Sequence, residues 1–437
     1  MEDSLEDVEG QQTLNIETAS QRQPDHTDQF HTTMPGVTLY LSGDTSRVCR
    51  CLMNNSAIGK LSFSRVNFND RLNMALFYYL KCQTINLPAV ELYYCDGQLD
   101  DAIKLVLTGK LKSLKLDGDS IDRTSFLALA TGLAFTVSLQ ELILPRMIWT
   151  EEYTVALTRG LQMNSSIQKL DLRKGSFAAN AIDHLARSLR NDRNLRSLIL
   201  TECHLDDGSV SKLVEALANH PSLEELNLES NFCRENGLRA VAKMIESQKK
   251  LTTLLLGQQG LAERSLNLSI LESPLGRSKA MKSLSLSYNT LTEDDMASLA
   301  NALKQNSTIR RLHLRSCSIS DSVIQILAAA LPEMKGLKFL DLFGNPFGED
   351  GAKAILAGLK GNIHLNGVRL PIKYYKNTDD IEYYLALNRG GRRLLSEINV
   401  PVSLWPLVLE RSNRFVEQHH RADVHFQLLQ GPVLLDR

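Results

Sequence analysis

The chain predicts an α/β solenoid: an inner parallel β-sheet, helices outside it, and a small helical cap at the C-terminal end. Three observations lead there. An apolar template recurs at a near-constant 28-residue spacing. Each copy changes from period-2 alternation to helical spacing half-way through. The spacing stops after residue 374, where a different, helix-like pattern takes over.

The template has apolar residues at positions 1, 4 and 6, a small polar or thiol residue at 9 and an apolar residue at 11. It fits Ile167-Leu170-Leu172-Gly175-Phe177, Leu195-Leu198-Leu200-Cys203-Leu205 and Leu223-Leu226-Leu228-Asn231-Cys233. It continues through Leu251-Leu254-Leu256-Gln259-Leu261, Met281-Leu284-Leu286-Asn289-Leu291, Ile309-Leu312-Leu314-Cys317-Ile319 and Leu337-Leu340-Leu342-Asn345-Phe347. Copies beginning at Leu111 and Leu139 have a weaker ninth position. First positions therefore fall at 111, 139, 167, 195, 223, 251, 281, 309 and 337; seven of the eight steps are 28 residues and one is 30. Looser copies start at Ile58 and Leu87, near Val37, and at Leu365. Worn copies suit the ends of a stack, where a repeat has only one neighbour.

Alternation at positions 4 and 6 predicts a short, half-buried strand. The second half of each copy predicts a helix: Ile324, Leu327 and Leu331 share one face, as do Leu299 and Leu303. Thr292 with Asp295 three residues later predicts a capping box. Wide helices outside and narrow strands inside predict a curved, horseshoe-like stack.

The pattern resembles the leucine-rich repeat, in particular the ribonuclease-inhibitor-like class, over about residues 36 to 374. That resemblance implies a structural role for position 9, with an inward Asn or Cys bonding the backbone of the strand-to-helix turn. Cys203, Asn231, Asn289, Cys317 and Asn345 match it. Asp119, Met147, Gly175 and Gln259 depart from it, which puts the turn bonding there in doubt. The resemblance also implies a non-enzymatic, protein-binding scaffold. Two alternatives use the same repeat class: a GTPase-activating protein resembling the Ran GTPase activator, and the sensor part of an immune-type receptor.

Composition and charge narrow the reading further. Forty-nine Lys+Arg against fifty Asp+Glu give a net charge of −1, so no bulk attraction to nucleic acid or an acidic membrane is expected. Aromatics make up 6% of the chain. Residues 1–33 carry eight acidic residues and one basic residue, Arg22, and predict a disordered acidic arm. The solenoid is expected over 34–374. A capping segment is expected over 375–437, with a helix through Ile381, Tyr384, Leu385 and Asn388 ended by Gly390-Gly391, and with Trp405 as a possible docking anchor. No basic start followed by an apolar run opens the chain, and the seven cysteines are irregularly spaced; both suit reduced thiols in the cytoplasm or nucleus. Sequons at Asn54, Asn164, Asn267 and Asn306 carry little weight in that setting. Asn164 and Asn306 precede strands at equivalent repeat positions, where a turn residue is expected.

Searches for chemistry return mostly absences. Gly59-Lys60 and Gly109-Lys110 have Asn54 and Lys104 where a phosphate-binding loop needs glycine, and no HExxH or GxSxG occurs. Cys317 is the last cysteine, so a C-terminal thiol-dependent ubiquitin-ligase domain is not expected. Cys49, Cys51 and Cys82 lie off the template, but their spacing is not that of a zinc finger. His419-His420 and His425 are read as incidental. No cofactor, metal, catalytic residue, nucleic acid or membrane is therefore expected.

What remains is the strand face, lined by positions 3, 5 and 7. Lys169, Asp171 and Arg173 form a mixed row; Glu225, Asn227 and Glu229 an acidic one; Ser283, Ser285 and Ser287 a bland one beside Tyr288. Arg311, His313 and Arg315 follow, then Phe339, Asp341 and Phe343, then Arg369. Aromatics beside arginines are the residue types that dominate binding hot spots. These residues, from Tyr288 to Arg369, are the expected partner-binding patch. The competing reading packs Phe339 and Phe343 under the C-terminal cap.

Overall fold

A computed structural model of the protein describes residues 13–16, 38–42, 44–54, 60–82, 89–108, 110–118, 121–259, 266–371, 378–390, 392 and 410. The chain divides into two compact units, Met1–His204 with His220–Leu223, and Leu205–Asn219 with Glu224–Arg437.

In the first unit the strands Thr13–Ile16, Thr38–Ser42, Lys60–Ser64, Ala89–Tyr93, Ser113–Leu116, Glu141–Ile143, Lys169–Asp171 and Ser197–Ile199 pair parallel, in chain order. In the second, Glu225–Asn227, Thr253–Leu255, Ser283–Ser285, Arg311–His313, Phe339–Asp341 and Gly367–Arg369 do the same. Template position 4 meets template position 4: Leu142 faces Leu170, Leu170 faces Leu198, Leu226 faces Leu254, and Leu284 faces Leu312. The 30-residue step keeps this register, with Leu254 opposite Leu284. The extra two residues are therefore absorbed outside the strand. The fold is an α/β leucine-rich-repeat solenoid.

Helices connect the strands, for example Glu151–Met163 and Ala179–Asn191 in the first unit and Glu293–Gln305, Asp321–Ala330 and Glu349–Gly361 in the second. Their starts are set by side chains. Asp122, Thr150, Asp206, Thr292 and Ser320 each accept a hydrogen bond from the backbone N–H three residues on, and Thr292 with Asp295 completes the expected capping box. Leucines at positions 4 and 6 are sealed between sheet and helices: Leu170, Leu172, Leu226, Leu228, Leu312, Leu314, Leu340 and Leu342 are fully buried.

One piece of the span expected to be a disordered arm departs from that reading. Thr13–Ile16 is a strand beside Thr38–Ser42, with Leu14 opposite Leu39 and Ile16 opposite Leu41. Leu14 and Ile16 are two apart, a period-2 signal that the acidic composition around them outweighs in a sequence reading. At the other end, Thr378–Gly390 is the expected helix, and Ile381, Leu385 and Asn388 are buried. Its Asn388 Nδ2 donates to the carbonyls of Asn362 and Leu365, so this helix docks on the last repeat as a next repeat would. Trp405, His419, His420 and His425 lie outside the described residues.

The residue at template position 8, just past the strand, adopts the left-handed conformation in most described copies. Examples are Arg146 (φ 59°), Lys174 (60°) and Glu202 (56°), then Ser230 (57°), Gln258 (50°), Tyr288 (63°) and Ser316 (51°). The cost to a non-glycine residue is of order 1 kcal/mol at each position. Glycine takes this conformation at Gly344 (φ 75°), where a Cβ would also meet Ser316 Oγ.

A second series of side chains secures the helix ends. Asn164, Asn306 and Asn362 lie three residues before template position 1 and are buried. Asn306 Nδ2 donates to the carbonyls of Leu275 (2.7 Å) and Ser278 (3.0 Å), while its Oδ1 accepts from the N–H groups of Thr308 and Ile309. Asn164 and Asn362 repeat this set. The sequon asparagines 164 and 306 are thus committed inward, tying each repeat to the one before. Asn306→Ala removes the partner of the Thr308 and Ile309 N–H groups and one of the bonds to each of the Leu275 and Ser278 carbonyls, and is expected to cost about 2–3 kcal/mol. Urea unfolding followed by circular dichroism checks this, and a loss below about 0.5 kcal/mol would contradict it.

Candidate functional site

The position-9 residues behave as structural groups. Asn345 Nδ2 donates to the carbonyls of Leu314 and Leu342, and its Oδ1 accepts from the N–H groups of Cys317 and Ile319. Asn289 donates to Leu256 and Leu286 and accepts from the Gln259 N–H. Asn231 donates to Leu228 and accepts from Leu205. Cys203 and Cys317 hold the same place with a thiol, donating to the carbonyls of Leu172 (3.2 Å) and Leu286 (3.3 Å).

Gln259 corrects the expectation for departures at position 9. Fully buried, it donates to the carbonyls of Leu228 and Gly257 and accepts from the Cys233 N–H. Its longer side chain makes the bonds an asparagine makes elsewhere. At Gly175 the solution is different. A Cβ there would come 2.7 Å from Trp149 Nε1. The missing side chain makes room for the buried indole, which stacks on Phe177 at 5.8 Å. Asp119 lies outside the described residues.

Burial removes the thiols from chemistry. It pushes Cys95 up to about 11 and Cys203, Cys233 and Cys317 up to about 12. At neutral pH these groups are protonated donors and not nucleophiles. Cys49 is buried and also raised by burial. The side chains of Cys51 and Cys82 lie outside the described residues. Among the described residues no group of three or more His, Cys, Asp or Glu could hold a metal ion.

On the strand face of the second unit the register assembles the expected patch. Arg311 lies opposite Phe339, His313 opposite Asp341, and Asp341 opposite Arg369. Phe343, half-buried, has the Arg315 guanidinium carbon 4.6 Å and the Arg369 guanidinium carbon 4.8 Å from its ring centroid. Asp341 is buried; its Oδ1 accepts from the Phe343 N–H at 3.0 Å, and its Oδ2 lies 3.9 Å from His313 Nδ1. Burial acts to raise the Asp341 carboxyl. The bonds from His313 and the Phe343 N–H, with the charges of Arg369 and His313, outweigh it and hold the group below its ordinary value. Tyr288 stands beside the patch at 53% exposure.

Phe339 is half-buried. Its ring lies 5.8 Å from that of His313, and a Cβ on the opposing Gly367 would sit 3.0 Å from Phe339 Cδ2. The bare glycine lets the ring lie down along the sheet. The strand adjoining that of Arg311 carries little side-chain bulk, with Ser283, Ser285 and Ser287 all buried, and on the next strand Leu255 precedes the buried Gly257. Glu229 reaches over Gly257 to accept from Ser285 Oγ at 3.0 Å. The sequence alone does not reveal this crossing, because it spans 56 residues.

Comparison with known proteins agrees with this architecture. The family model for the leucine-rich repeat matches residues 191–214, 305–322 and 337–356. The mouse ribonuclease inhibitor is 30% identical over 138 residues, covering 31% of this chain and 30% of its own length. The repeats of the chain are similar to those of leucine-rich-repeat proteins of the ribonuclease-inhibitor-like class. Mouse NACHT, LRR and PYD domains-containing protein 14 is 31% identical over 137 residues, 31% of this chain and 14% of that protein. This chain thus spans less than a third of the length of the curated relatives it matches. Among solved structures, the TLR13–ssRNA13 complex aligns over 78% of this chain and 43% of its own at 16% identity and a TM-score of 0.45. An internalin from Listeria monocytogenes aligns over 72% of this chain and 81% of its own at 17% identity and a TM-score of 0.42. Among the described residues no helix is long and apolar enough to cross a membrane.

The thiol environment gives a direct test. Iodoacetamide at pH 7.5 should leave Cys95, Cys203, Cys233 and Cys317 unmodified in the native protein and modify all four in urea, as read by peptide mass spectrometry. Native labelling of Cys203 or Cys317 would contradict their place in the ladder. The sign of the pH effect follows from the raised values. Below the ordinary thiol value both states keep the proton; above it the unfolded chain releases the proton first, so stability falls as pH climbs from about 9 toward 12. Cys203→Ser with Cys317→Ser should shrink the loss of urea midpoint between pH 8 and pH 10.5.

Proposed function

We propose that the chain is a non-enzymatic protein-binding scaffold, and that the strand face of its second unit, centred on Arg311, His313, Arg315, Phe339, Asp341, Phe343 and Arg369 with Tyr288 at its margin, is the binding site. One observation carries this reading. Three adjacent strands place Arg311, Arg315 and Arg369 around two half-buried phenylalanines, on a face that no described helix covers. Arginine and aromatic side chains supply most of the energy of protein interfaces, at about 2 kcal/mol or more for a central residue. A sheet of stacked repeats also presents them already ordered, which lowers the entropic cost of association. The position-9 residues belong to the frame of this surface, not to its contacts.

The similarity to ribonuclease inhibitor and to NACHT, LRR and PYD domains-containing proteins supports a scaffold over an enzyme, and the buried, protonated thiols offer no nucleophile. The decisive variant is Arg315→Glu with Phe343→Ala. After proximity labelling in the source cell identifies the main partner, this double variant should weaken its binding by about 30-fold or more. Its melting temperature should change by less than about 4 °C. Unchanged affinity with the fold intact rejects the site. Phosphate release from GTP-loaded small GTPases should not accelerate on mixing with the protein; stimulation by orders of magnitude would replace the scaffold reading with that of a GTPase activator.

A further inference from the structure

We propose that Arg315, Phe343 and Arg369 form a carboxylate-binding fork, so that the segment this face takes up is an acidic peptide; the inference rests on the binding site proposed above and names the chemistry of its partner.

Six other arginines of the protein are held in ion pairs, while others, such as Arg310 and Arg392, bond backbone carbonyls. Arg123 is paired with Glu152, Arg146 with Asp117, Arg173 with Asp171, Arg239 with Glu235, Arg277 with Glu246 and Arg389 with Glu382. Two of those pairs, Arg146–Asp117 and Arg173–Asp171, involve template positions 5, 7 and 8, close to the strands, and in both the carboxylate is buried. On Arg311, Arg315 and Arg369 there is no ion pair with any described residue. The one carboxylate in the patch is committed elsewhere: Asp341 accepts from the Phe343 N–H and faces His313, while Arg369 acts on it only from beyond ion-pair distance. The patch thus carries three guanidinium charges against one buried carboxylate.

The arginines are also held in place. Phe343 sits between the strand that carries Arg315 and the strand that carries Arg369, and both guanidinium carbons lie within 5 Å of its ring centroid. Stacking on an aromatic ring restrains a guanidinium while leaving its N–H edge available. An edge of that kind matches a carboxylate with two parallel hydrogen bonds. Beside the fork, Ser283, Ser285 and Ser287 give the adjoining strand no large side chain on this face, and Ser287 Oγ accepts from the Arg315 N–H. Glu225 stands three strand spacings from the Arg311 strand, or about 14 Å, and the Glu229 carboxylate reaches inward over Gly257 to Ser285, on the strand next to that of Arg311. They disfavour acidic residues on their own side, so the acidic part of a bound segment is directed to the fork. A nucleic acid fits less well, because two guanidinium groups already lie within 5 Å of the Phe343 ring centroid, where a base would stack, and Asp341 lies within the patch.

The test uses the full chain and a labelled octaglutamate peptide in fluorescence anisotropy at about 50 mM salt, with octaglutamine and a twelve-nucleotide oligouridine as comparators. Octaglutamate should bind and octaglutamine should not. Arg315→Gln with Arg369→Gln should weaken octaglutamate binding at least tenfold, and Glu229→Gln should strengthen it. Arg315→Lys with Arg369→Lys keeps the charge and removes the fork, and should still lose several-fold. Arg123→Gln, at a paired arginine elsewhere, should change nothing, and melting curves of all variants establish that they fold. Octaglutamate binding that is absent, or indifferent to the two arginines or to their replacement by lysine, overturns the proposal, as does tighter binding of oligouridine through the same residues. If the glutamine pair abolishes binding of the natural partner while octaglutamate fails to bind, the binding site stands and the carboxylate assignment falls; if neither ligand responds, both fall.

Discussion

The structure depends on one repeated constraint: the strand-to-helix turn of every repeat exposes backbone groups to an apolar interior, and something must bond them. A buried carbonyl or N–H without a partner costs about 1–3 kcal/mol, a sum no stack of repeats could carry. Asn231, Asn289, Asn345, Gln259, Cys203 and Cys317 meet this demand at one edge of the strands. Asn164, Asn306 and Asn362 meet it at the other, where helices end. Each of these side chains reaches into a neighbouring turn, so the two series also fix the parallel register that puts leucine opposite leucine.

Register has a consequence for the surface. Positions 4 and 6 and the inward groups are used up in holding repeats together, so only positions 3, 5 and 7 can differ freely from repeat to repeat. Their chemistry is decided by neighbours across strands and not by neighbours in sequence. Phe343 and Arg369 are 26 positions apart in the chain, yet the second lies over the ring of the first. Glu229 reaches Ser285 because Gly257, between them, has no side chain to obstruct it. In the same way Gly367 gives Phe339 room to lie along the sheet. Small residues on this face therefore set the directions that large ones take.

The cysteines show how the same constraint removes chemistry. A thiol at position 9 donates one weak hydrogen bond to a buried carbonyl and is surrounded by leucines. Burial then pushes its titration far above neutral pH, and the residue becomes an interior donor with no nucleophilic use. Gln259 shows the opposite latitude. Where the 30-residue step occurs, a longer amide makes the bonds that asparagine makes in its neighbours.

The sequence by itself determined the repeat length, the strand positions and the helix start at Thr292; the inward role of the position-9 asparagines and thiols came with the family resemblance. The first three are readable because each rests on periodic burial or on a local cap, both written within a few residues of one another. It also named the residues of the candidate patch, since register follows from period. It did not show that Gln259 substitutes for asparagine, that the asparagines before each strand form a second bonded series, or that Thr13–Ile16 joins the sheet. Nor did it show which arginines lack a carboxylate. Those were decided only by the tertiary structure, because a side chain's reach, its partners and the space left by a glycine are properties of strands lying side by side, and no local pattern of residues encodes them.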